Sequence, residues 1–143
     1  MLTKNLSVIS RYCHWYMRKM LGESQLSGID PVILSFLRGK EGTCQDCLCT
    51  FLLLDKATMA KAAARLEEKG YITRAVNDKN KREKLLRLTE SGQELLQKIE
   101  VAKEKWEGIY LRGFSEEERE TFLRLSARAA QNAVEYRMKK EID

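Results

Sequence analysis

The spacing of apolar residues changes at only one place in this chain, between residues 71 and 88, and that change decides the fold class. Elsewhere apolar side chains recur every three or four positions, which is the period of an α-helix. From Tyr71 to Val76 and from Lys84 to Leu88 they alternate with polar residues, which predicts two β-strands. The sequence therefore predicts a mainly α fold with one small β-hairpin as its only sheet.

Helix-capping residues and glycines set the limits of the first three predicted helices. The first helix spans residues 5–21. The second begins at Asp30, an N-cap residue followed by Pro31, and ends before Gly39. The third spans residues 44–51, with Cys44 where an N-cap Ser or Thr is expected. The chain has one proline in 143 residues, so little interrupts these helices.

Three longer helices are predicted by similar signals. Asp55 caps a helix over residues 56–69, and Gly70 ends it. Ser91 to Glu94 and Ser115 to Glu118 each fit the S-x-x-E capping box. The residues predicted to be buried are Leu48 in the third helix and Met59, Ala62 or Ala63, and Leu66 in the fourth. The fifth and sixth helices each carry an apolar stripe, namely Leu95, Ile99, Ala102, Trp106 and Ile109 in the fifth and Phe122, Leu125, Ala129, Ala133 and Tyr136 in the sixth.

Positive charge is concentrated in the middle of the chain. Residues 55–90 carry ten basic and six acidic side chains, which is +4 of the total of +5. Two short helices, a third element ahead of them and a basic hairpin behind them are the parts of a winged helix-turn-helix, which binds DNA through the second helix and the hairpin. The predicted contacts are Lys56, Ala57, Thr58, Ala60, Lys61 and Arg65 on the helix, and Arg74, Lys79, Lys81, Arg82 and Lys84 on the hairpin.

The segment from Gly42 to Gly92 resembles the MarR family of bacterial and archaeal transcriptional regulators. The matching signals are Gln45, Leu48, DKAT at 55–58, RLEEKGYI at 65–72, the D-x-N-x-R pattern at 78–82 and LT-x-x-G at 88–92. The resemblance implies that Asp78 pairs with Arg82 and fixes its guanidinium group on the hairpin, which is called the wing. It also implies that residues 1–143 form a single domain, in which residues 29–90 are the DNA-binding lobe and helices from residues 1–28 and 91–143 form a homodimer.

The resemblance further implies a repressor of a pseudo-palindromic double-stranded DNA operator, released when a small aromatic effector binds near the dimer interface. The aromatic candidates for that pocket are Tyr12, Trp15, Tyr16, Phe36 and Trp106. The long apolar stripes independently favour a dimer, because a lone chain would leave them largely uncovered.

Two alternatives to an effector-released DNA-binding repressor stay open. The first is a regulator that responds to redox state or to a metal through Cys44, Cys47 or Cys13. The second is a helical protein-interaction module without DNA specificity. Helical geometry argues against a metal site of Cys44, Cys47 and Cys49, because the last two point in nearly opposite directions. We therefore expect no metal and no cofactor.

We also do not expect an enzyme, since the chain has one histidine, His14, and no phosphate-binding glycine loop. With at most four consecutive apolar residues, we expect no membrane span and a cytoplasmic protein.

Overall fold

The structure is a computed structural model that describes residues 1–140, and in that range it contains six α-helices and three β-strands. The side chain of Glu23 lies outside the described part. The chain divides into two compact units, residues 1–106 and residues 107 onward. The elements are α1 (Leu2–Met20), α2 (Asp30–Phe36), β1 (Thr43–Cys44), α3 (Gln45–Phe51), α4 (Lys56–Glu68), β2 (Ile72–Asn77), β3 (Asn80–Leu88), α5 (Glu90–Tyr110) and α6 (Glu116–Lys140). No helix in this range is long and apolar enough to cross a membrane.

The core of the first unit joins all of its helices to the sheet. Ile33 of α2, Leu66 of α4, Leu86 of β3 and Ile99 of α5 are each at most 1% exposed and belong to one apolar cluster. Burying a side chain of this size stabilises a fold by about 1.5–3 kcal/mol. The predicted inner faces of the third and fourth helices are confirmed, since Leu48, Met59, Ala62, Ala63 and Leu66 are all buried.

The ends of α4 follow the sequence prediction closely. The Asp55 carboxylate accepts a hydrogen bond from the Thr58 amide at 2.7 Å, which satisfies a free N–H of the first turn. Gly70 follows the helix with a φ of +79°, a left-handed conformation that glycine adopts without steric cost.

The predicted mainly α fold with one small hairpin is confirmed, with β2 and β3 as the hairpin. One strand was not predicted: β1 joins the sheet, which in the described residues has three antiparallel strands in the order β1-β3-β2. In β1, Thr43 pairs with Leu86 and Cys44 pairs with Leu85. A strand of two residues is too short to show alternation in the sequence, so the pattern could not reveal it. The extra strand connects the start of α3 directly to the wing. The hairpin is also longer than predicted, since β2 ends at Asn77 and β3 begins at Asn80.

Two predicted helix caps differ from the observed ones. The N-cap of α2 is Ile29, and Asp30 is the first residue of the helix, with a side chain turned into the protein. The predicted capping box from Ser91 to Glu94 is also wrong. α5 begins at Glu90, and the Gly92 amide donates to the hydroxyl of Thr89 at 3.0 Å. At α5, Thr89 lies two positions before the predicted Ser91 and is better placed to accept from the Gly92 amide. At α2, the Asp30 carboxylate accepts from the Ser27 amide.

Gly92 lies where a neighbouring backbone comes very close. A Cβ at this position would be 2.0 Å from the carbonyl oxygen of Tyr71. We therefore expect Gly92→Ala to lower the free energy of unfolding by at least about 1–3 kcal/mol, as overpacking does. Gly108→Ala is the matched control in the same helix, since nothing lies within 4 Å of its Cβ, and it should stabilise by roughly 0.5–1 kcal/mol. Urea unfolding followed by circular dichroism measures both, and equal values would contradict the close approach.

The second unit contains the end of α5 and all of α6. The capping box predicted at the start of α6 is confirmed, because the Ser115 amide donates to Glu118 at 2.8 Å and the Glu118 amide donates to Ser115 Oγ at 3.2 Å. Phe114 and Phe122 pack edge to face, with centroids 5.8 Å apart. No described residue of α6 is buried, and Leu125 and Tyr136 of the predicted stripe are exposed in the single chain.

Candidate nucleic-acid interface

The helix-turn-helix is formed by α3, a turn through residues 52–55 and α4. Both carboxylate oxygens of Asp55 hold Thr58, one through its amide and one through its hydroxyl, each at 2.7 Å. These hydrogen bonds to the Thr58 amide and hydroxyl lower the pKa of Asp55. The hydroxyl proton of Thr58, predicted to reach DNA, is therefore used by the cap.

The face of α4 opposite its buried residues is small and polar. Ala57, Ala60 and Ala64 are exposed there, with Lys56 and Lys61 beside them. Short side chains let the helix backbone approach the floor of a major groove, while the two lysines reach bases or phosphates. Most of these residues were predicted from the sequence to contact DNA.

Arg65, also predicted to contact DNA, has internal partners. Its guanidinium forms an ion pair with Asp30 at 2.6 Å, and a further N–H donates to Ser27 Oγ at 2.7 Å. Asp30 is fully buried and also accepts from the Ser27 amide at 2.8 Å. The hydrogen bond to Asp30 raises the pKa of Arg65. Arg65 therefore joins α4 to the start of α2, and the DNA contact predicted for it stays a prediction.

Arg74 likewise has a partner inside the protein, and the DNA contact predicted for it also stays a prediction. Its guanidinium donates twice to Glu67 Oε1, at 3.0 and 3.2 Å, and its amide donates to Oε2 of the same carboxylate at 3.0 Å. The hydrogen bond from Arg74 lowers the pKa of Glu67. The pair joins the base of the wing to the last turn of α4, so α4 and the wing are held in one orientation relative to each other.

The tip of the wing presents unpaired cations. Asp78 and Lys79 form the turn, and the Asn77 side chain accepts from the Lys79 amide at 3.0 Å. Within residues 1–140, no carboxylate lies within ion-pair distance of Lys79, Lys81 or Arg82. All three side chains are exposed and available to phosphate.

The predicted brace between Asp78 and Arg82 is not formed in the described part of the chain. The register of the hairpin is interrupted after Val76, because Val76 pairs with Lys84 whereas Asn77 pairs with Asn80. Arg82 therefore lies in a bulge, where its amide donates to the Asn80 side chain at 3.2 Å. A bulge turns side chains away from the regular pairing, which explains why the two residues do not meet.

A cavity of about 300 Å³ lies between α1, the loop before α2, and α5. Its wall is mostly apolar with a few polar or cationic groups, and it is lined by Cys13, His14, Met17, Arg18, Leu21, Gly22, Gln25, Leu26, Ser27, Gly28, Pro31, Val32 and Lys103. Burial is the main influence on the Cys13 thiol, and it raises the pKa of that thiol. His14, Arg18 and Lys103 line the cavity but were not predicted from the sequence to line a pocket.

None of the five aromatic residues predicted to form the effector pocket lines this cavity. Tyr16 stacks on Trp106 with centroids 5.2 Å apart, and Phe36 packs against Phe51 at 4.8 Å. Tyr12 and Trp15 are 60% and 50% exposed. The large rings fill packed or outer sides of their helices, and smaller side chains line the cavity. The effector contacts predicted for the five aromatic residues stay a prediction.

The four cysteines are free thiols in three different settings. Cys49 is buried, and its thiol donates to the Leu54 carbonyl at 3.0 Å. Desolvation by burial and a hydrogen bond with Cys47 raise the pKa of Cys44 to about 11. Because the thiolate is the reactive form, this shift does not favour Cys44 as an oxidant sensor.

Comparisons with known proteins agree with this geometry. The family described as "Winged helix DNA-binding domain" matches residues 26–92. The HTH-type transcriptional regulator YybA of Bacillus subtilis (strain 168) is 32% identical over 91 residues, which is 64% of this chain and only 61% of that protein's length. A protein assigned to the MarR family from Listeria monocytogenes, complexed with a 26mer DNA, is 26% identical, with a TM-score of 0.83 and coverage of 97% of this chain and 93% of that one.

The fold and the exposed basic surface define a winged-helix DNA-binding protein. The crystal structure of a protein named MarR is 34% identical to this chain, with a TM-score of 0.92, and the match covers 97% of this chain and 95% of that one. The chain therefore belongs to the MarR family of transcriptional regulators, as the sequence resemblance implied.

Proposed function

We propose that this chain acts in the cytoplasm as a homodimeric repressor that binds a pseudo-palindromic DNA operator and is released by a small-molecule effector. The observation that carries the proposal is the pairing of two surfaces in one unit. The outer face of α4 is small and exposed, and the wing beside it carries three cations with no carboxylate partner among residues 1–140. Membership of the family supports the same activity.

The contacts that we propose divide by type. Lys56, Ala57, Ala60 and Lys61 would enter the major groove, and Lys61 would influence base preference. Wing cations would contact the adjacent minor groove or backbone, namely Lys79, Lys81, Arg82 and Lys84. Thr58, Arg65 and Arg74 would position these groups, since each donates hydrogen bonds inside the protein, and the exposed parts of the two arginines would remain available to phosphate. Asp78 would contribute through the geometry of the wing tip.

Dimer formation is supported by apolar side chains that a single chain leaves exposed. On α1 these include Leu6 and Trp15, and at the end of α5 Ile109 is 52% exposed. On α6, Leu125 and Tyr136 are exposed as well. A homodimer with twofold symmetry would cover such surfaces and place two α4 helices on successive half-sites, roughly 34 Å apart.

The central test is selection of binding sites from a pool of random DNA duplexes. We expect enrichment of one sequence with inverted half-sites separated by about one helical turn. The Lys61→Ala variant should enrich a related sequence with relaxed preference at one base position in each half-site. If neither protein enriches a sequence, the chain does not bind DNA specifically, and the proposal falls in favour of a protein-interaction role.

Effector binding is proposed for the cavity on α1. A mostly apolar cavity of about 300 Å³ near Arg18 and Lys103 suits a flat aromatic molecule with a negative charge. We expect benzoate, used as a probe, to weaken DNA binding by the wild type. Arg18→Gln should reduce benzoate affinity by roughly tenfold, the effect of losing one charge-assisted hydrogen bond. Lys19→Gln is the matched control, since Lys19 lies beside Arg18 but does not line the cavity. Equal effects of the two substitutions would contradict this site.

A further inference from the structure

Three potential metal ligands from separate elements meet between the helix-turn-helix and the wing. Cys44 is the N-cap of α3, Cys47 lies in its first turn, and Glu83 comes from the bulge of β3. Their two sulfur atoms and one carboxylate oxygen all lie within 4.8 Å of one another. Ligands of a tetrahedral zinc ion are roughly 3.5–3.8 Å apart, given bond lengths of about 2.3 Å to sulfur and 2.0–2.2 Å to oxygen. Small side-chain rotations therefore suffice to close this set on an ion.

Neighbouring groups already orient two of the three ligands. The Asn77 side-chain amide donates to Glu83 Oε2 at 2.9 Å. The Cys47 amide donates to Cys44 Sγ at 3.2 Å. Hydrogen bonds of this kind fix the orientation of ligands in metal sites.

The geometry also explains why the sequence argued against a metal. Cys44, Cys47 and Cys49 cannot converge, and Cys49 is indeed buried against the Leu54 carbonyl. The third ligand is instead Glu83, which the antiparallel pairing of β1 with β3 brings to the start of α3. Cys47 is exposed and Cys44 and Glu83 are half-buried, so an ion can enter from solvent.

We propose that Cys44, Cys47 and Glu83 bind one thiophilic divalent cation of the zinc type. Two thiolates select such an ion over magnesium or calcium, and water would complete four-coordinate geometry. On binding, the two thiols release their protons to solvent and form two metal–sulfur bonds without any change in oxidation state. One consequence of this inference rests on the proposed function: an ion that joins α3 to the wing would hold the wing in the position in which it contacts DNA.

Titration of the fully reduced protein with Co²⁺ in the absence of DNA tests the site directly. We expect sulfur-to-cobalt charge-transfer absorption that saturates at one ion per chain and disappears when Zn²⁺ is added. Cys47→Ser should abolish this absorption, and Glu83→Gln should weaken cobalt binding. Cys13→Ser is the matched control, because Cys13 lies in the α1 cavity, and it should leave the titration unchanged.

A second pair of variants tests the site without touching a ligand. Asn77→Ala should reduce cobalt affinity by about 10–100-fold, the usual effect of losing a group that orients a ligand. Asn80→Ala is its control, since Asn80 contacts the Arg82 amide and not Glu83. Circular dichroism checks that each variant is folded.

The outcomes separate this proposal from the proposed function. Absence of charge-transfer absorption in the folded wild type overturns the site, and so does unchanged binding in Glu83→Gln. Formation of a Cys44–Cys47 disulfide in place of cobalt binding also overturns it. Cobalt binding together with failure to select a DNA sequence supports the metal site while rejecting the DNA-binding role. Tighter binding to the selected DNA with Zn²⁺, lost in Cys47→Ser, supports both.

Discussion

Arg65→Ala is expected to lower the free energy of unfolding by about 3 kcal/mol, at the low end of the range for breaking a buried ion pair. The substitution leaves the Asp30 carboxylate, which is fully buried, without its counter-charge. The low end applies because the Arg65 side chain is 34% exposed and water can partly replace it. Urea unfolding at two protein concentrations measures the effect and separates it from any change in dimerisation.

Two further variants make this prediction specific to the ion pair. Lys61→Ala, on the exposed face of the same helix, should change the unfolding free energy by less than about 0.5 kcal/mol. Combining Asp30→Asn with Arg65→Ala should recover part of the loss, because an amide can still accept from the Ser27 amide without a buried charge. If Arg65→Ala is no more destabilised than Lys61→Ala, the ion pair does not hold α4 to α2.

Removing the charges of Lys79, Lys81 and Arg82 together is expected to produce the largest loss of DNA affinity. If each side chain contacts one phosphate, a dimer loses six contacts. The slope of log affinity against log salt should then become shallower by about 5, at about 0.9 for each neutralised phosphate. Replacement of all three by glutamine, followed by fluorescence anisotropy across a salt series, measures this slope.

A charge-matched variant provides the control for the wing. Arg124, Arg128 and Lys139 are exposed in the single chain and lie on α6, so replacing them by glutamine removes the same three charges from another part of the protein. We expect the salt slope of this control to stay close to that of the wild type, with sedimentation used to check that it remains a dimer. An equal change in slope for both variants would show that the wing makes no special contribution.

The helical part of the fold followed from the sequence because its signals are local. Asp55, Gly70 and the pair Ser115 and Glu118 act within one turn of their own helix, and all were identified correctly. The buried faces of α3 and α4 followed from the helical period. The errors arose where local signals were nearly equal, as at Thr89 and Ser91, or where a strand was only two residues long.

The candidate site was only partly predictable, for a related reason. The basic composition of residues 55–90 located the DNA-facing lobe, but it could not distinguish free cations from internally paired ones. Arg65 reaches an aspartate 35 positions away, and Arg74 is held by a carboxylate seven positions before it on another element. The position of the cavity was not predictable either, because aromatic content does not specify which side of α1 faces inward.

The sequence by itself determined the class of fold, the limits of most helices, the position of the wing and the family. These depend on capping residues and apolar spacing within a few positions, which can be read from the order of the residues alone. Only the tertiary structure decided which arginines are structural, where the cavity lies, and that Glu83 meets Cys44 and Cys47. Those features require residues far apart in the chain to meet, and strand pairing and core packing bring them together.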